Sequence, residues 1–351
     1  MIDKFGGVWL ALTYDCQNKC KWCYASADLN AYRGRNLPEG KISPTLDLLQ
    51  KLGVRKTTLI GGEPTLYKNL SILLEEHLKR DIKTGIVTNG RMLSNPEFSG
   101  MIKRLGVDHL TVSIEGYDSE SQDALTQSPG SYNEAIKGIY VASEKGIKVT
   151  TNTVISRSSI DSLERIVDSL EDKPIDIFSF NVCGPCLTGE DNSEMVRPEL
   201  VARSFENIYK YVKSKGKVAR LVSPIPLCLF EEGIRRELFG RGLVSGGPCQ
   251  LSSGRNFVVD YNGDILPCTH FSGFPVGNIF IEGGVVSYGE FIEMYNSPEG
   301  IPFKFRRKLN RTASDKCDSP KCEEPCTGGC PLIWKVFNPQ EEIPGFSGAL
   351  K

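Results

Sequence analysis

Short apolar strands alternate with amphipathic helices over the first 220 residues, and this alternation constrains the fold more than any other feature. Six strand-then-helix units predict parallel strands joined by right-handed crossovers. We therefore expect an α/β fold with a partial (β/α)6 barrel, and an open doubly wound sheet is the alternative. The predicted strands are Val8–Tyr14, Lys56–Ile60, Thr84–Thr88, His109–Ile114, Lys148–Ile155 and Ile175–Asn181. The predicted helices are Ser43–Leu52, Leu70–Lys79, Pro96–Leu105, Asn133–Lys145 and Ser159–Leu170, the first starting at Ser43-Pro44.

The chain changes character after these units. A helical stretch, Glu199–Lys215, leads into Pro- and Gly-rich sequence, and an Asn262-Gly263 turn between two apolar runs predicts a β-hairpin. The remaining sequence is short and rich in cysteine, so it buries little core and needs metal to hold it. The predicted domains are the barrel (1–197), a helical and Gly/Pro-rich bridge (198–247) and a small, irregular iron–sulfur domain (248–351).

Charge and hydropathy exclude several classes of function. The 351 residues include 42 basic and 43 acidic side chains, so the net charge of −1 predicts neither nucleic-acid binding nor binding to an anionic membrane. No window approaches the roughly 18 consecutive apolar residues of a membrane-spanning helix. The N-terminal residues lack the basic and apolar regions of a signal peptide. We expect a cytoplasmic protein.

Twelve cysteines indicate metal rather than disulfides in a reducing compartment. Cys16, Cys20 and Cys23 follow the first predicted strand on one short segment. Three thiolates on one loop can hold a 4Fe–4S cluster and leave its fourth iron without a protein ligand. Such an open metal position is where chemistry takes place. A zinc knuckle that lacks one ligand, or three unrelated thiols, would have the same spacing.

A glycine-rich turn, Gly61-Gly62-Glu63-Pro64, follows the second predicted strand. Two glycines let the backbone approach a ligand closely, and their N–H and C=O groups can bind a zwitterion. Together with the C-x3-C-x2-C segment, this turn resembles the radical S-adenosylmethionine (radical SAM) superfamily over roughly residues 8–190. The resemblance implies that the three cysteines hold a 4Fe–4S cluster and that the turn binds the methionine amino group of S-adenosylmethionine (SAM). It also implies cleavage of SAM to a 5′-deoxyadenosyl radical, which abstracts a substrate hydrogen atom.

Three polar residues complete the SAM site that the resemblance implies. Asn89 follows the third strand, and Ser113 lies at the end of the fourth. In relatives, polar groups in these two segments contact the ribose and the methionine carboxylate. Asn152 on the fifth strand is a further candidate. Each is also an ordinary residue for a turn or a strand end. Relatives often carry an arginine in the helix after the fourth strand, whereas Ala124-Leu125-Thr126-Gln127 has none.

The later cysteines resemble the SPASM extension of radical SAM enzymes, which holds two auxiliary 4Fe–4S clusters. The C-x13-G-x4-C spacing from Cys249 through Gly263 to Cys268 fits that pattern, but Cys322 is displaced by two positions and the final cysteine is absent. A structural zinc site within Cys317–Cys330 is the alternative, because sulfur ligation suits either metal. The resemblance implies one cluster held by Cys228, Cys249, Cys268 and Cys330, and a second held by Cys317, Cys322 and Cys326 with a non-cysteine ligand or an open iron.

Two thiols and a histidine are candidates for hydrogen-atom or proton transfer. Cys183 and Cys186 follow the sixth strand, at the edge where active sites of parallel α/β folds gather, and either could donate a hydrogen atom or be an idle thiol in a turn. Their Cys-Gly-Pro-Cys sequence is that of thioredoxin, but no helix start follows it. His270 lies beside a cluster ligand and is a candidate base. Thr269 replaces the aspartate of sulfatase-maturing relatives, which counts against that activity.

The resulting prediction is a radical SAM oxidoreductase that modifies a peptide after its synthesis. Dehydrogenation or epimerisation of a sugar or aminocyclitol is the alternative reaction, and a zinc-stabilised binding protein is the alternative without catalysis. We expect a reducing partner such as a flavodoxin or ferredoxin. A leader-peptide-binding partner is a further expectation, because no such domain precedes Cys16.

Overall fold

The computed structural model describes residues 2–185, 192–300 and 326–343, so the predicted site residues Cys186, Cys317 and Cys322 lie outside the described residues. Within them, no helix is long and apolar enough to cross a membrane. The helices are α1 Ser26–Ala31, α2 Glu39–Lys51, α3 Leu70–Lys79, α4 Pro96–Arg104, α5 Ser119–Thr126, α6 Ser131–Glu144, α7 Leu163–Ser169, α8 Pro198–Ser214, α9 Glu232–Gly240, α10 Gln250–Ser253, α11 Tyr288–Asn296 and α12 Pro339–Glu342.

The strands form one ten-stranded sheet and a separate two-stranded ribbon. They are β1 Gly7–Ala11, β2 Lys56–Ile60, β3 Lys83–Thr88, β4 Val107–Ser113, β5 Lys148–Ile155, β6 Ile175–Val182, β7 Val218–Leu221, β8 Phe257–Val259, β9 Asp264–Leu266, β10 Gly277–Asn278, β11 Phe280–Ile281 and β12 Gly284–Val285. The sheet order is β10-β9-β8-β1-β2-β3-β4-β5-β6-β7, with β1 to β7 parallel. The predicted α/β fold with parallel strands is confirmed.

Two segments extend the sheet beyond the six predicted parallel strands. The predicted bridge supplies β7, a seventh parallel strand beside β6. The predicted hairpin forms as β8 and β9, and β8 pairs with β1 in parallel, Val8 opposite Phe257. The cysteine-rich part of the chain is therefore built onto the same sheet as the N-terminal strand.

The start of α2 was predicted wrongly. The helix begins at Glu39 rather than at Ser43, and Pro44 lies inside it. A proline inside a helix leaves the carbonyl four residues earlier without its backbone donor. That carbonyl belongs to Gly40, which is exposed, so water can replace the missing hydrogen bond.

Side chains alternate between two faces of the sheet. The outer face packs against the helices and belongs to the main core, with Leu10, Leu59, Val112 and Phe180 at most 2% exposed. On the inner face, β1 and β2 contribute to a second cluster, called here the inner apolar cluster. Its members are Ala11, Ile60, Val258, Leu266, Phe271 and Leu332.

His77 on α3 is buried against β2 on the outer face. Its Nδ1–H donates to Leu73 O at 2.7 Å, and its Nε2 therefore accepts from Thr57 Oγ1 at 2.8 Å. Burial lowers the pKa of His77 to about 4, because the interior disfavours the charged ring. The imidazole is held neutral in the folded chain.

We expect His77 to make the fold sensitive to acid. The imidazole of His77 takes up a proton near pH 6.5 in the unfolded chain and only near pH 4 in the folded chain. The contribution of neutral His77 to the free energy of unfolding is therefore complete above about pH 6.5 and is lost as the pH falls towards 4. The advantage of the wild type over His77→Gln in free energy of unfolding should shrink by about 3 kcal/mol over this range. Urea unfolding at several pH values measures it, and a difference that does not change with pH would contradict it.

Candidate active site

The loop of Cys16, Cys20 and Cys23 follows β1 and is fixed by backbone hydrogen bonds on two sides. Gly62 N donates to Thr13 O at 2.7 Å, which ties the start of the loop to the turn after β2. Lys19 N donates to Thr126 O at 2.8 Å, which ties its middle to the end of α5. The loop is thus held between the turn after β2 and the end of α5 by the protein's own backbone.

The three cysteines of this loop are half-buried. Burial, reinforced by the charge of Glu63, raises the pKa of Cys16 to about 12. Burial and the neighbouring Cys23 raise the pKa of Cys20. Thiolates in this environment need a cation, and iron would supply one.

The arrangement fits a cluster better than a single ion. In the part of the chain that the structure describes, no three His, Cys, Asp or Glu side chains converge closely enough to hold one metal ion. The loop thiols nevertheless lie near enough for Cys20 to respond to the charges of both Cys16 and Cys23. A 4Fe–4S cluster binds its thiolates at separate iron corners, so it suits thiols that are near one another without meeting at one point.

The glycines after β2 permit a close approach to the cysteine loop. Gly61 has a φ of +134°, and a Cβ there would lie 2.2 Å from Thr13 O. A Cβ on Gly62 would lie 2.6 Å from Asp15 O. Side chains at either position would push the turn away from the loop. Pro64, the last residue of the predicted motif, is buried and begins a short 3₁₀ helix.

Both carboxylate oxygens of Glu63 accept hydrogen bonds from neighbouring residues. Its Oε1 accepts hydrogen bonds from Thr65 Oγ1 and Thr88 Oγ1, both at 2.6 Å, and from Thr65 N at 3.1 Å. Its Oε2 accepts from Asn89 N at 2.7 Å. Burial raises the pKa of Glu63, and these hydrogen bonds oppose that rise. The carboxylate therefore fixes the segment after β3 relative to the glycine turn.

Asn89, Ser113 and Asn152 belong to three neighbouring strand segments. Asn89 directly follows β3, and its Nδ2 donates to Gln17 Oε1 at 3.0 Å and lies 4.0 Å from Cys16 Sγ, so this residue reaches the cysteine loop. Ser113 ends β4, and its register partner Asn152 lies within β5, three residues before the end of that strand. Contact of the three residues with SAM remains a prediction.

Arg91 is a site residue that the sequence analysis missed. Its guanidinium donates to Asn18 Oδ1 at 3.1 Å within the cysteine loop, to Ser128 Oγ, and to Glu134 on α6. The arginine sought after β4 is absent, but this one follows β3 and contacts the cysteine loop directly. A basic residue immediately after Asn89-Gly90 was the available signal.

Glu115 is a second residue at this site that the sequence analysis did not name. It follows β4, is 4% exposed, and accepts one hydrogen bond, from Val154 N at 2.8 Å. Burial raises the pKa of Glu115 to about 8. An acid placed directly after an apolar strand was the signal that could have identified it.

His270 joins the candidate catalytic residues to the cysteine loop. A Cβ on Gly184 would lie 2.5 Å from the ring of His270, so this glycine admits the imidazole beside Cys183. His270 Nδ1 donates to Pro185 O at 3.3 Å, and its ring lies 5.2 Å from the ring of Tyr24. Burial lowers the pKa of His270. Its Nε2 is consequently an acceptor in the neutral ring.

Three of the later cysteines pack against the inner apolar cluster, Cys249, Cys268 and Cys330. Burial raises the pKa of Cys268 to about 11 and that of Cys330 to about 12, and Cys249 adds to both rises. Cys228 packs against the main core, as Cys330 also does. Their assignment to one cluster remains a prediction.

Cys326 is the described member of the second implied set. It forms an isolated parallel bridge with Gly246, and its Sγ lies 3.7 Å from Gly246 O. Cys330 N donates to Pro224 O at 3.0 Å. The end of the cysteine-rich segment is therefore attached by its backbone to the segments that follow β7 and α9.

Comparison with known proteins identifies a domain. The model of the Radical SAM superfamily matches residues 10–170, which include the cysteine loop, the glycine turn and β2 to β5. The chain carries a radical SAM domain. This confirms the predicted radical SAM domain, and the cofactors of that superfamily are the predicted ones, a 4Fe–4S cluster and SAM.

Individual relatives extend the likeness beyond this radical SAM domain. The Bacillus subtilis protein AlbA, an antilisterial bacteriocin subtilosin biosynthesis protein, is 23% identical over 320 residues, 91% of this chain and 65% of AlbA. Fe-coproporphyrin III synthase of Methanosarcina barkeri is 30% identical over 165 residues, 47% of this chain and 40% of the synthase. Most of the first curated relatives are matched by this chain over only about half of their length.

One solved structure shares the fold of this chain over most of its length. Streptococcus suis SuiB bound to its precursor peptide SuiA matches with a TM-score of 0.68 at 18% identity, over 89% of this chain and 69% of SuiB. The likeness extends over more of the chain than the radical SAM domain alone. It supports the partial-barrel interpretation of the fold.

Proposed function

We propose that this chain is a radical SAM enzyme that modifies a peptide. The observation that carries the proposal is the contact of the Gly61-Gly62 turn with the cysteine loop, since it brings the proposed SAM and cluster sites together. AlbA, a bacteriocin biosynthesis protein, and SuiB, which binds the precursor peptide SuiA, are similar to this chain over 91% and 89% of its length, which supports a peptide substrate.

Different residues would hold the cluster, bind SAM and position the cysteine loop. Cys16, Cys20 and Cys23 would hold the cluster that, with SAM, supplies the 5′-deoxyadenosyl radical. Residues 61–64, Asn89, Ser113 and Asn152 would bind and orient SAM, and the carboxyl groups of Glu63 and Glu115 are buried near these residues. Arg91 positions the cysteine loop through Asn18.

The second half of the reaction would use residues near Cys183. His270 holds its proton at Nδ1, which leaves Nε2 to accept a proton from a substrate. Cys183 Sγ could donate a hydrogen atom to a substrate radical. One auxiliary cluster would be held by Cys228, Cys249, Cys268 and Cys330, and a second by Cys317, Cys322 and Cys326. Both would exchange electrons with a reducing protein such as a flavodoxin or ferredoxin.

Metal analysis and a co-expression experiment test this function. Protein purified without oxygen should contain about eight to twelve irons per chain, four per cluster, and form 5′-deoxyadenosine from SAM with dithionite. Co-expression with short peptides encoded beside its gene should change the mass of one of them. Zinc in place of iron would refute the enzyme, and a mass change only in a sugar or aminocyclitol would refute the peptide substrate.

A further inference from the structure

Arg220 is the charged member of a row of polar side chains that crosses four strands. Register pairs join Ser113 on β4 to Asn152 on β5, Asn152 to Ser179 on β6, and Ser179 to Arg220 on β7. These four residues are called here the polar row. It runs from two of the proposed SAM-binding residues to a cation on the terminal strand of the sheet.

The polar row lies on the inner face of the sheet. Ala219 and Leu221, the neighbours of Arg220 along β7, belong to the main core on the outer face. Successive side chains of a strand point to opposite faces, so Arg220 points inward. The residues on either side of Ser179 also belong to the main core, which places Ser179 on the inner face. Arg220 and the proposed SAM site therefore share one face.

The guanidinium of Arg220 is only partly used by the protein itself. Its Nε donates to Ser179 Oγ at 2.7 Å. Across residues 2–185, 192–300 and 326–343, neither Nη atom has a hydrogen-bond or ion-pair partner. Arg220 is half-buried, yet the buried side-chain atoms left without a partner in those ranges do not include its Nη atoms. Both Nη atoms therefore face open space on the inner side of the sheet.

No carboxylate of the described residues balances the charge of Arg220. Burial lowers the pKa of Arg220, and no acid in those residues opposes that shift. Burial, Lys56 and then Arg220 lower the pKa of His109, so the charge of Arg220 is felt across the inner face as far as β4. A partly desolvated cation without a counterion is unfavourable, and an anion bound beside it would relieve that cost.

The position of Arg220 in the sheet favours substrate over SAM as the source of this anion. The methionine part of SAM is expected at the cysteine loop and the glycine turn, which follow β1 and β2. Strands β3 to β6 lie between β2 and β7, and neighbouring strands are about 4.8 Å apart, so several strand widths separate Arg220 from that turn. Cys183, the candidate donor of a hydrogen atom to a substrate radical, directly follows β6, the strand that pairs with β7.

We propose that the two Nη atoms of Arg220 bind a carboxylate of the peptide substrate. This rests on the proposed function and adds a substrate requirement to it. A guanidinium can donate two parallel N–H bonds to the two oxygens of one carboxylate, and such charge-assisted pairs are both strong and directional. The peptide should therefore carry an acidic side chain, or its own carboxyl end, close to the modified residue.

Protection of Arg220 from phenylglyoxal tests the proposal in the anaerobic protein without SAM. This reagent modifies accessible guanidinium groups, and peptide mass mapping gives the rate at each arginine. The probes are acetylglutamate N-methylamide, with a side-chain carboxylate, its neutral analogue acetylglutamine N-methylamide, and acetylglutamine, with a terminal carboxylate only. The concentration that halves the rate at Arg220 should be at least about tenfold lower for acetylglutamate N-methylamide than for the neutral analogue.

Arg104 is the matched control in the same preparation. It is an exposed arginine near the end of α4, on the outer side of the sheet. Its rate of modification should change by less than about twofold with any probe, because an exposed guanidinium binds single carboxylates weakly. Equal protection of Arg104 and Arg220 would show that the probes act without a site, which overturns the proposal.

The remaining outcomes are also decisive. Protection by acetylglutamine equal to that by acetylglutamate N-methylamide would support the site and identify the carboxyl end of the peptide as its occupant. Equal effects of the acidic and neutral probes, or stronger protection by inorganic phosphate, would overturn the proposal. Protection by SAM with none by the carboxylate probes would assign Arg220 to the cofactor and overturn it. An Arg220 that does not react without a probe would already be paired, which also overturns it.

Failure of this inference is separable from failure of the proposed function. Wild-type cleavage of SAM is measured without peptide, and protection of Arg220 is measured without SAM. Cleavage with no selective protection would remove Arg220 as a recognition residue and leave the enzyme. Selective protection with no cleavage would remove the enzyme and leave the carboxylate site.

Discussion

Replacing Cys16, Cys20 and Cys23 together by alanine is expected to reduce SAM cleavage to background and to remove about four irons per chain. No other described thiols lie on the loop that the Gly61-Gly62 turn contacts. Iron bound to the later cysteines should remain, because Cys249, Cys268 and Cys330 pack against the inner apolar cluster and not on this loop. Formation of 5′-deoxyadenosine with dithionite and the iron content of the same preparation measure both effects.

Two results of this triple substitution would contradict the expectation. If 5′-deoxyadenosine still forms at the wild-type rate, the radical chemistry does not depend on this loop. If all iron is lost, the two ends of the chain do not load their metal independently. Retained iron with no cleavage is the expected combination.

The variant Gly61→Ala is expected to lose SAM cleavage and to destabilise the fold by about 3 kcal/mol or more. Its Cβ would lie 2.2 Å from Thr13 O, a backbone atom that cannot swing aside, and the φ of +134° disfavours any L side chain. The cysteine loop must then separate from the turn. Thermal unfolding and 5′-deoxyadenosine formation report the two losses.

Gly40→Ala is the matched control for this substitution. It adds the same methyl group in α2, where a Cβ would meet nothing within 4 Å. Alanine is the better helix former, so this variant should gain about 0.5 to 1 kcal/mol and keep its activity. Equal effects of the two alanines would show that the approach of the turn to the loop is unimportant.

The strands were predictable because each carries a strong local pattern. β2 and β5 have the predicted bounds, as does α3, since apolar residues and helix boundaries are encoded within each segment. Strand β7 was missed because four residues after a long helix give little local signal, and only the pairing with β6 defines it. The start of α2 was misjudged because Ser43-Pro44 resembles a helix start.

The candidate site was predictable where spacing carries the information. The cysteine loop and the glycine turn can be recognised from neighbouring residues. The hydrogen bonds of Glu63 to Thr88 and Asn89 cannot, because they join residues 25 or more positions apart. Arg91 escaped notice for the same reason, since its partners Asn18, Ser128 and Glu134 lie 37 or more positions away.

The pairing of β8 with β1 has a consequence for the order in which this protein is built. Gly7 N bonds to Asn256 Oδ1 across 249 residues, so one edge of the first strand stays bare until most of the chain has left the ribosome. Unpaired edges recruit other strands. A nascent chain lacking its last hundred residues is therefore expected to depend on chaperones, and iron delivery to the N-terminal loop would best follow completion of synthesis.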